Sequence, residues 1–125
     1  MTKQVKFIDH CKDMALAYEV SSIIVSSSIE PEAFGRVAVE AQSMGKIIIA
    51  SNIGGSNETV INEKTGYLFE SGNPKSLSEK ILKVLNLDDT TLQIVGIEGR
   101  KNAVSKFNVE KMCFSTYSEY KKLIN

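Results

Sequence analysis

Hydrophobic positions follow two alternating patterns along the chain: short continuous apolar runs and longer stretches with helical spacing. The runs lie at 5–8 (Val-Lys-Phe-Ile), Ile23–Ser26, 47–50 and Tyr67–Phe69. Ile23-Ile24-Val25 and Ile47-Ile48-Ile49 are unbroken and β-branched, which predicts strands buried on both faces, as in a parallel sheet covered by helices. Between the runs, 13–20 puts Met14, Ala17 and Tyr18 on one side of a short helix. A second helix over 34–44 puts Phe34, Val37, Ala41 and Met44 on one stripe, with Gly45 as its stop. Asn73-Pro74 reads as an N-cap followed by proline at the first helical position. Leu77, Ile81, Leu82, Val84 and Leu85 then carry that helix to Asn86. Asp88 or Asp89 caps the next helix, which runs to about Lys106 and is weakened at Gly96 and Gly99 by ~1 kcal/mol each relative to alanine. A last helix opens at Asn108 or Val109 and carries Met112, Tyr117, Tyr120 and Ile124, a stripe most simply read as packing. Alternation of strand and helix predicts one α/β domain with right-handed crossovers. Such sheets bind ligands at the carboxyl ends of their strands, so the loops after Ser26 and Ala50 are the ones to inspect.

Composition narrows the function classes. At 125 residues, 42% hydrophobic and 24% charged, the chain has the balance of one globular domain. Fifteen Lys and Arg cancel fifteen Asp and Glu, which leaves no basic excess for a nucleic-acid partner. No apolar run approaches the ~20 residues of a membrane span, and the opening residues lack the apolar stretch of a secretory signal. The expected compartment is the cytoplasm. Cys11 and Cys113 match no metal spacing and read as free thiols of a reducing compartment. His10, the single histidine, has no partner pattern near it and reads as a structural loop residue.

The first loop runs Ser26-Ser27-Ser28-Ile29-Glu30-Pro31-Glu32-Ala33-Phe34-Gly35-Arg36, and Glu40 follows on the helix, eight positions after Glu32. The helix rises ~9 Å from Phe34 to Glu40. A helix N-terminus offers free N–H groups and partial positive charge to a phosphate, and a carboxylate can accept two sugar hydroxyls at once. A nucleotide sugar presents those groups in series. On spacing alone, however, the plainer reading is a solvated loop acid and a surface acid paired with Arg36 at i, i+4. Gly35, and Gly54-Gly55 in the second loop, Ser51-Asn52-Ile53-Gly54-Gly55-Ser56-Asn57-Glu58, let backbone approach a ligand closely. A simple loop accounts for the paired glycines equally well. Asp88-Asp89 reads as helix capping before metal binding.

Taken in order, Pro31-Glu32-Ala33-Phe34-Gly35-Arg36, Glu40-Ala41-Gln42, Met44-Gly45, Ile48-Ile49-Ala50-Ser51, Gly54-Gly55 and Glu58 resemble the nucleotide-sugar domain of retaining group 1 glycosyltransferases. These are two-domain enzymes of the GT-B fold, among them many polysaccharide and lipopolysaccharide sugar transferases. Glu32 and Glu40 match the family's Glu-x7-Glu motif. Val5-Lys6-Phe7-Ile8 with His10, Asp13-Met14 and Tyr18 resembles its preceding strand and short helix, although Asp9 stands where a glycine is usual. Thr65-Gly66-Tyr67-Leu68-Phe69, Gly72-Asn73-Pro74 and the closing helix over 107–124 extend the likeness over nearly the whole chain.

The resemblance implies a Rossmann-like parallel sheet flanked by helices, a partial C-terminal domain of a GT-B fold spanning 1–125. It implies that Glu32, as the catalytic-site acid, with Ala33, Phe34 and Gly35 faces the sugar and distal phosphate. Arg36 and Val37 would offer amides to the diphosphate, Glu40 would bind the ribose hydroxyls, and Gly54 and Gly55 would line the donor. It implies no metal and no cofactor. The partners implied are a nucleotide-diphosphate sugar and a glycan or lipid-linked acceptor, with a location in the cytoplasm or peripheral to the inner membrane. In the family two further strands precede the one matched at 5–8 and bring an Arg and a Lys to the diphosphate, and an acceptor domain comes before them; the last helix crosses back toward that domain, so part of it is expected to be orphaned here. The expectation is therefore a truncated or split-gene product that binds nucleoside diphosphate weakly and gains its missing domain from a partner chain. An exposed central strand at Ile23–Ser26 would otherwise be covered by self-association or by the 5–8 run moving across to pair with it. A non-catalytic remnant or binding module is the alternative. A sugar-nucleotide epimerase is disfavoured, because no acid–base cluster is visible.

Overall fold

The structure is a computed structural model that describes residues 4–124. In chain order the elements are α1 (Met14–Val20), β1 (Ile23–Ser26), α2 (Arg36–Ser43), β2 (Ile47–Ser51), α3 (Ser56–Thr59), β3 (Tyr67–Phe69), α4 (Pro74–Leu85), α5 (Asp89–Lys106) and α6 (Val109–Ile124). The three strands form one parallel sheet in the order β1-β2-β3. Ile24 lies opposite Ile48 and Val25 opposite Ile49, and on the other side Ala50 lies opposite Leu68.

Period-two alternation on β2 sends side chains to two separate cores. Ile48 and Ala50 pack with Tyr18, Ile24, Ala38 and Ala41 beneath α1 and α2. Ile47 and Ile49 pack with Tyr67, Phe69, Val84 and Val95 beneath α4 and α5. All five β2 residues are buried, which accounts for the unbroken apolar run of a strand covered on both faces. This is the expected α/β architecture, a helix-flanked parallel sheet.

Local signals placed most helix starts. Asp13 accepts the Leu16 amide, Asn73 that of Ser76, Asp88 that of Thr91 and Asn108 that of Lys111. Asp88, not Asp89, is therefore the α5 cap, and the Thr91 hydrogen bonds hold its carboxyl below the usual range. Gly96 and Gly99 do not interrupt α5. A Cβ on Gly96 would fall 2.6 Å from the Gly45 carbonyl, and one on Gly99 would fall 3.0 Å from that of Thr65. The helix thus gives up some propensity to lie close against the end of α2. At that contact Asn102 Nδ2 donates to Gln42 Oε1 (2.9 Å) and to the Thr59 carbonyl (3.0 Å), while Gln42 Nε2 donates to the same Thr59 carbonyl (2.9 Å).

Four expectations fail. The run at 5–8 forms no strand: it has no ladder partner, and Val5, Phe7 and Ile8 are exposed. An apolar run becomes a strand only where an edge receives it, and here β1 pairs with β2 alone among the described residues. The move of 5–8 onto β1 is thereby ruled out too. The second helix starts at Arg36, two residues later than its pattern suggests, because Gly35 is left-handed (φ 76°) and leaves Phe34 outside the helix. Finally, no described residue of α6 is buried: Met112, Tyr117 and Tyr120 stand exposed, so packing of the stripe is not found, while the exposure agrees with the expectation that part of this helix is orphaned.

Candidate functional site at the carboxyl ends of the strands

Because the strands are parallel, their carboxyl ends open on one side of the sheet. Three loops gather there: 27–35 after β1, 52–55 after β2 and 70–73 after β3. The first loop rests on the second. The Gly55 amide donates to the Glu32 carbonyl (2.6 Å). A Cβ on Gly54 would lie 2.6 Å from the Glu32 nitrogen, and one on Gly55 would lie 2.3 Å from the Phe34 carbonyl carbon. The space that these glycines leave open is thus filled by the backbone of the Glu32 loop. The third loop ties in through Ser71 Oγ, which donates to the Ser28 carbonyl (3.1 Å).

This seating turns the chain sharply into α2. Gly35 is buried and takes the N-cap position, where it supplies no side-chain acceptor. The first-turn amides of α2 at Arg36 and Val37 therefore begin a helix whose cap supplies them no side-chain acceptor, which leaves them available to an anion, whereas Ala38 is buried in the core. Glu32, Ala33, Phe34 and Arg36 are exposed at the rim, whereas Val37 and Gly54 are half-buried and Gly55 is buried.

The two acids have separate supports. Ser28 Oγ donates to Glu32 Oε1. Glu40 is half-buried on α2; its Oε2 accepts from the Tyr18 hydroxyl (2.7 Å), and its Oε1 lies 3.3 Å from Arg36 Nη2. Tyr18 is only 4% exposed, and burial, then the hydrogen bond and charge of Glu40, push its phenol up to about 12. The structure therefore brings Glu32, Ala33, Phe34 and Gly35 against Gly54 and Gly55, and it joins Glu40 to Arg36. Among the described residues the two acids have no shared partner.

Sequence reasoning missed the supports. Tyr18 lies 22 positions from Glu40; in sequence it shows as a residue on a helix face and as part of the likeness to the family's preceding short helix, with nothing to tie it to Glu40. Ser28, four residues before Glu32, shows only as loop. An open groove of about 580 Å³ adjoins this rim, lined by Phe34, Phe107, Val109, Met112 and Phe114 among others, but by neither acid. Phe34 meets Phe107 edge-on there, with ring centres 5.6 Å apart. Among the described residues no group of three or more Asp, Glu, His or Cys converges as a metal site, and no helix is long and apolar enough to cross a membrane.

Residues 1–103 match the family described as "Glycosyl transferases group 1". The capsular polysaccharide biosynthesis glycosyltransferase CapM of Staphylococcus aureus is 35% identical over 104 residues, which cover 83% of this chain and 27% of CapM. A glycosyltransferase crystal structure from Rickettsia africae superposes with a TM-score of 0.88 at 32% identity, covering 98% of this chain and 33% of that one. HepE of Anabaena, crystallised in complex with UDP-glucose, gives a TM-score of 0.88 at 25% identity over 96% of this chain and 33% of its own. The chain thus spans about a quarter to a third of the proteins it resembles. The matched family, the ordered motifs and the shared α/β fold agree: this chain belongs to the group 1 glycosyltransferases, enzymes of the GT-B fold.

Proposed function

We propose that this chain is the nucleotide-sugar-binding, C-terminal domain of a retaining, metal-independent glycosyltransferase. The observation that carries the reading is the paired arrangement at the strand ends: a rim loop seated on Gly54-Gly55 that leads into uncapped α2 amides, with Glu40 held one turn further on. Glu40 takes the two ribose hydroxyls. The amides of Arg36 and Val37 meet the diphosphate, and Glu32 with the backbone of Ala33, Phe34 and Gly35 holds the sugar and its distal phosphate. Gly54 and Gly55 act by seating that loop, a more indirect role than lining the donor.

In the transfer, the bond from the anomeric carbon to the diphosphate oxygen breaks while the acceptor hydroxyl oxygen attacks from the same face, and the hydroxyl proton passes to the departing diphosphate oxygen. Negative charge develops on the diphosphate and positive charge on the sugar. Helix amides aimed at the phosphates stabilise the former, and fixed hydroxyl contacts hold the sugar in the reacting pose. The acceptor is a glycan or a lipid-linked saccharide of the polysaccharide or lipopolysaccharide type. An acceptor-binding domain completes the site, either in the same polypeptide or in a partner chain. The HepE complex with UDP-glucose supports a nucleotide-diphosphate hexose as donor.

Calorimetric titration with UDP, GDP, ADP and their sugars tests this reading. Binding of a nucleoside diphosphate that weakens in Glu40→Ala supports it. Titrations unchanged by both Glu40→Ala and Glu32→Gln would remove the site assignment.

A further inference from the structure

We propose that Tyr18 is a positioning residue for Glu40, its buried hydroxyl fixing the carboxylate before the nucleotide arrives. The inference rests on the reading of Glu40 as the ribose-binding acid. The Tyr18 ring belongs to the core between α1 and α2, packed with Ile24, Ala38, Ala41 and Ile48. Its position along α1 is fixed at both ends. Asp13 caps the start, and Ser21 closes the helix, its amide donating to the Tyr18 carbonyl (3.2 Å) and its Oγ to that of Ala17 (2.6 Å). From this rigid base the hydroxyl reaches Glu40 Oε2 at 2.7 Å.

The second contact of Glu40 is of a different quality. The Arg36 side chain is 83% exposed and sits one turn away on the same helix, a setting in which an ion pair contributes little orientation. Tyr18 is therefore the anchor. A carboxylate offers about four acceptor positions. Tyr18 takes one on Oε2 and Arg36 one on Oε1, so a position remains on each oxygen. Two neighbouring hydroxyls of a ribose ring call for that pair. A glutamate held in place by Tyr18 also gives up its torsional freedom when the protein folds, and the loss is not charged to binding. The phenol stays protonated and donating across the neutral range, since burial and the Glu40 charge push its ionisation up to about 12.

A purely structural role would make Glu40 no more than the partner that a buried hydroxyl needs. Titrating whichever of UDP, GDP and ADP binds tightest, alongside its 2′,3′-dideoxy form, separates the two roles. Tyr18→Phe keeps the ring and removes the hydroxyl. The expected result is affinity for the ribonucleotide reduced roughly fivefold, as for one hydrogen bond, with affinity for the dideoxy form unchanged and no further loss when Tyr18→Phe is added to Glu40→Ala. Equal loss for both nucleotides, or no loss for either, overturns the proposal. Should Tyr18→Phe not fold, the wild type labelled at the tyrosine Cζ carbon gives a second measurement. The ribonucleotide should shift the Tyr18 signal and the dideoxy form should not, and an equal response to both overturns the proposal. A wild-type chain that binds the two nucleotides equally, or binds none, overturns the ribose-binding reading of Glu40 itself and this inference with it.

Discussion

Replacing Gly55 with alanine adds one methyl group at a position of ordinary helical geometry (φ −60°, ψ −24°). No conformational penalty follows, so the effect is purely steric. The new Cβ would lie 2.3 Å from the Phe34 carbonyl carbon and 2.6 Å from both its Cα and its oxygen. All three are backbone atoms and cannot rotate away, so the loop carrying Glu32 has to lift. Overpacking of this kind costs about 1–3 kcal/mol. The Gly55 amide bond to the Glu32 carbonyl is lost as well, adding about 1 kcal/mol. Urea denaturation of Gly55→Ala should therefore show a loss of about 2–4 kcal/mol at unchanged m-value. Gly72→Ala is the control. Its φ is +72° but nothing lies within 4 Å of the added methyl, so only the left-handed backbone term of about 1 kcal/mol applies. Binding should separate the two further: Gly55→Ala loses affinity for the sugar nucleotide, whereas Gly72→Ala keeps it. A Gly55→Ala protein as stable as Gly72→Ala, with intact binding, would refute the seating of one loop on the other.

Three further outcomes are expected. Glu40→Ala should weaken nucleotide binding by ~1–3 kcal/mol, while Glu32→Gln should weaken binding of the sugar nucleotide and leave the free nucleotide nearly unaffected; calorimetry reads both. Tyr18 ionises near its ordinary value of 10 when unfolded but at about 12 in the fold, so its contribution is complete below pH 10 and is lost as pH rises toward 12. The loss is on the order of 2–3 kcal/mol over that window. Burial also raises the Tyr67 phenol, so the quantity to measure is the difference between wild type and Tyr18→Phe, and parallel pH profiles would contradict the assignment. Asn102→Ala removes two donors from the buried cluster with Gln42 and Thr59, and chemical denaturation should register about 2–4 kcal/mol.

The parts of the fold that could be read from sequence were those with local causes. Ile23–Ser26 and the run at 47–50 announce buried strands by β-branched continuity, and Asn73-Pro74 and Asp88 carry their caps within three residues. The run at 5–8 has the same local character as a strand, yet pairing depends on an edge elsewhere, and β1 pairs with β2 instead. α3 is four residues long, too short to show any period. At the candidate site, the order of motifs singled out Glu32 and Glu40. The partners that hold them were hidden, because Tyr18 meets Glu40 through tertiary packing of α1 on α2. Gly54-Gly55 was visible as a place of close approach, but what approaches it is the Glu32 loop. α6 shows the reverse difficulty: its apolar stripe is plain in sequence, and the described residues give it nothing to cover.

The most direct test of the account is a nitrogen-15 amide-shift titration of the chain with UDP-glucose, carried into the millimolar range. Saturable shifts should concentrate at Ala33, Phe34, Gly35, Arg36 and Val37 and at Gly54 and Gly55, with Glu40 on the adjoining turn. Met112 and Phe114 on the α6 groove should stay still. Shifts centred on that groove, or an absence of saturable shifts with any of UDP-, GDP- and ADP-glucose, would contradict a donor site at the carboxyl ends of the strands.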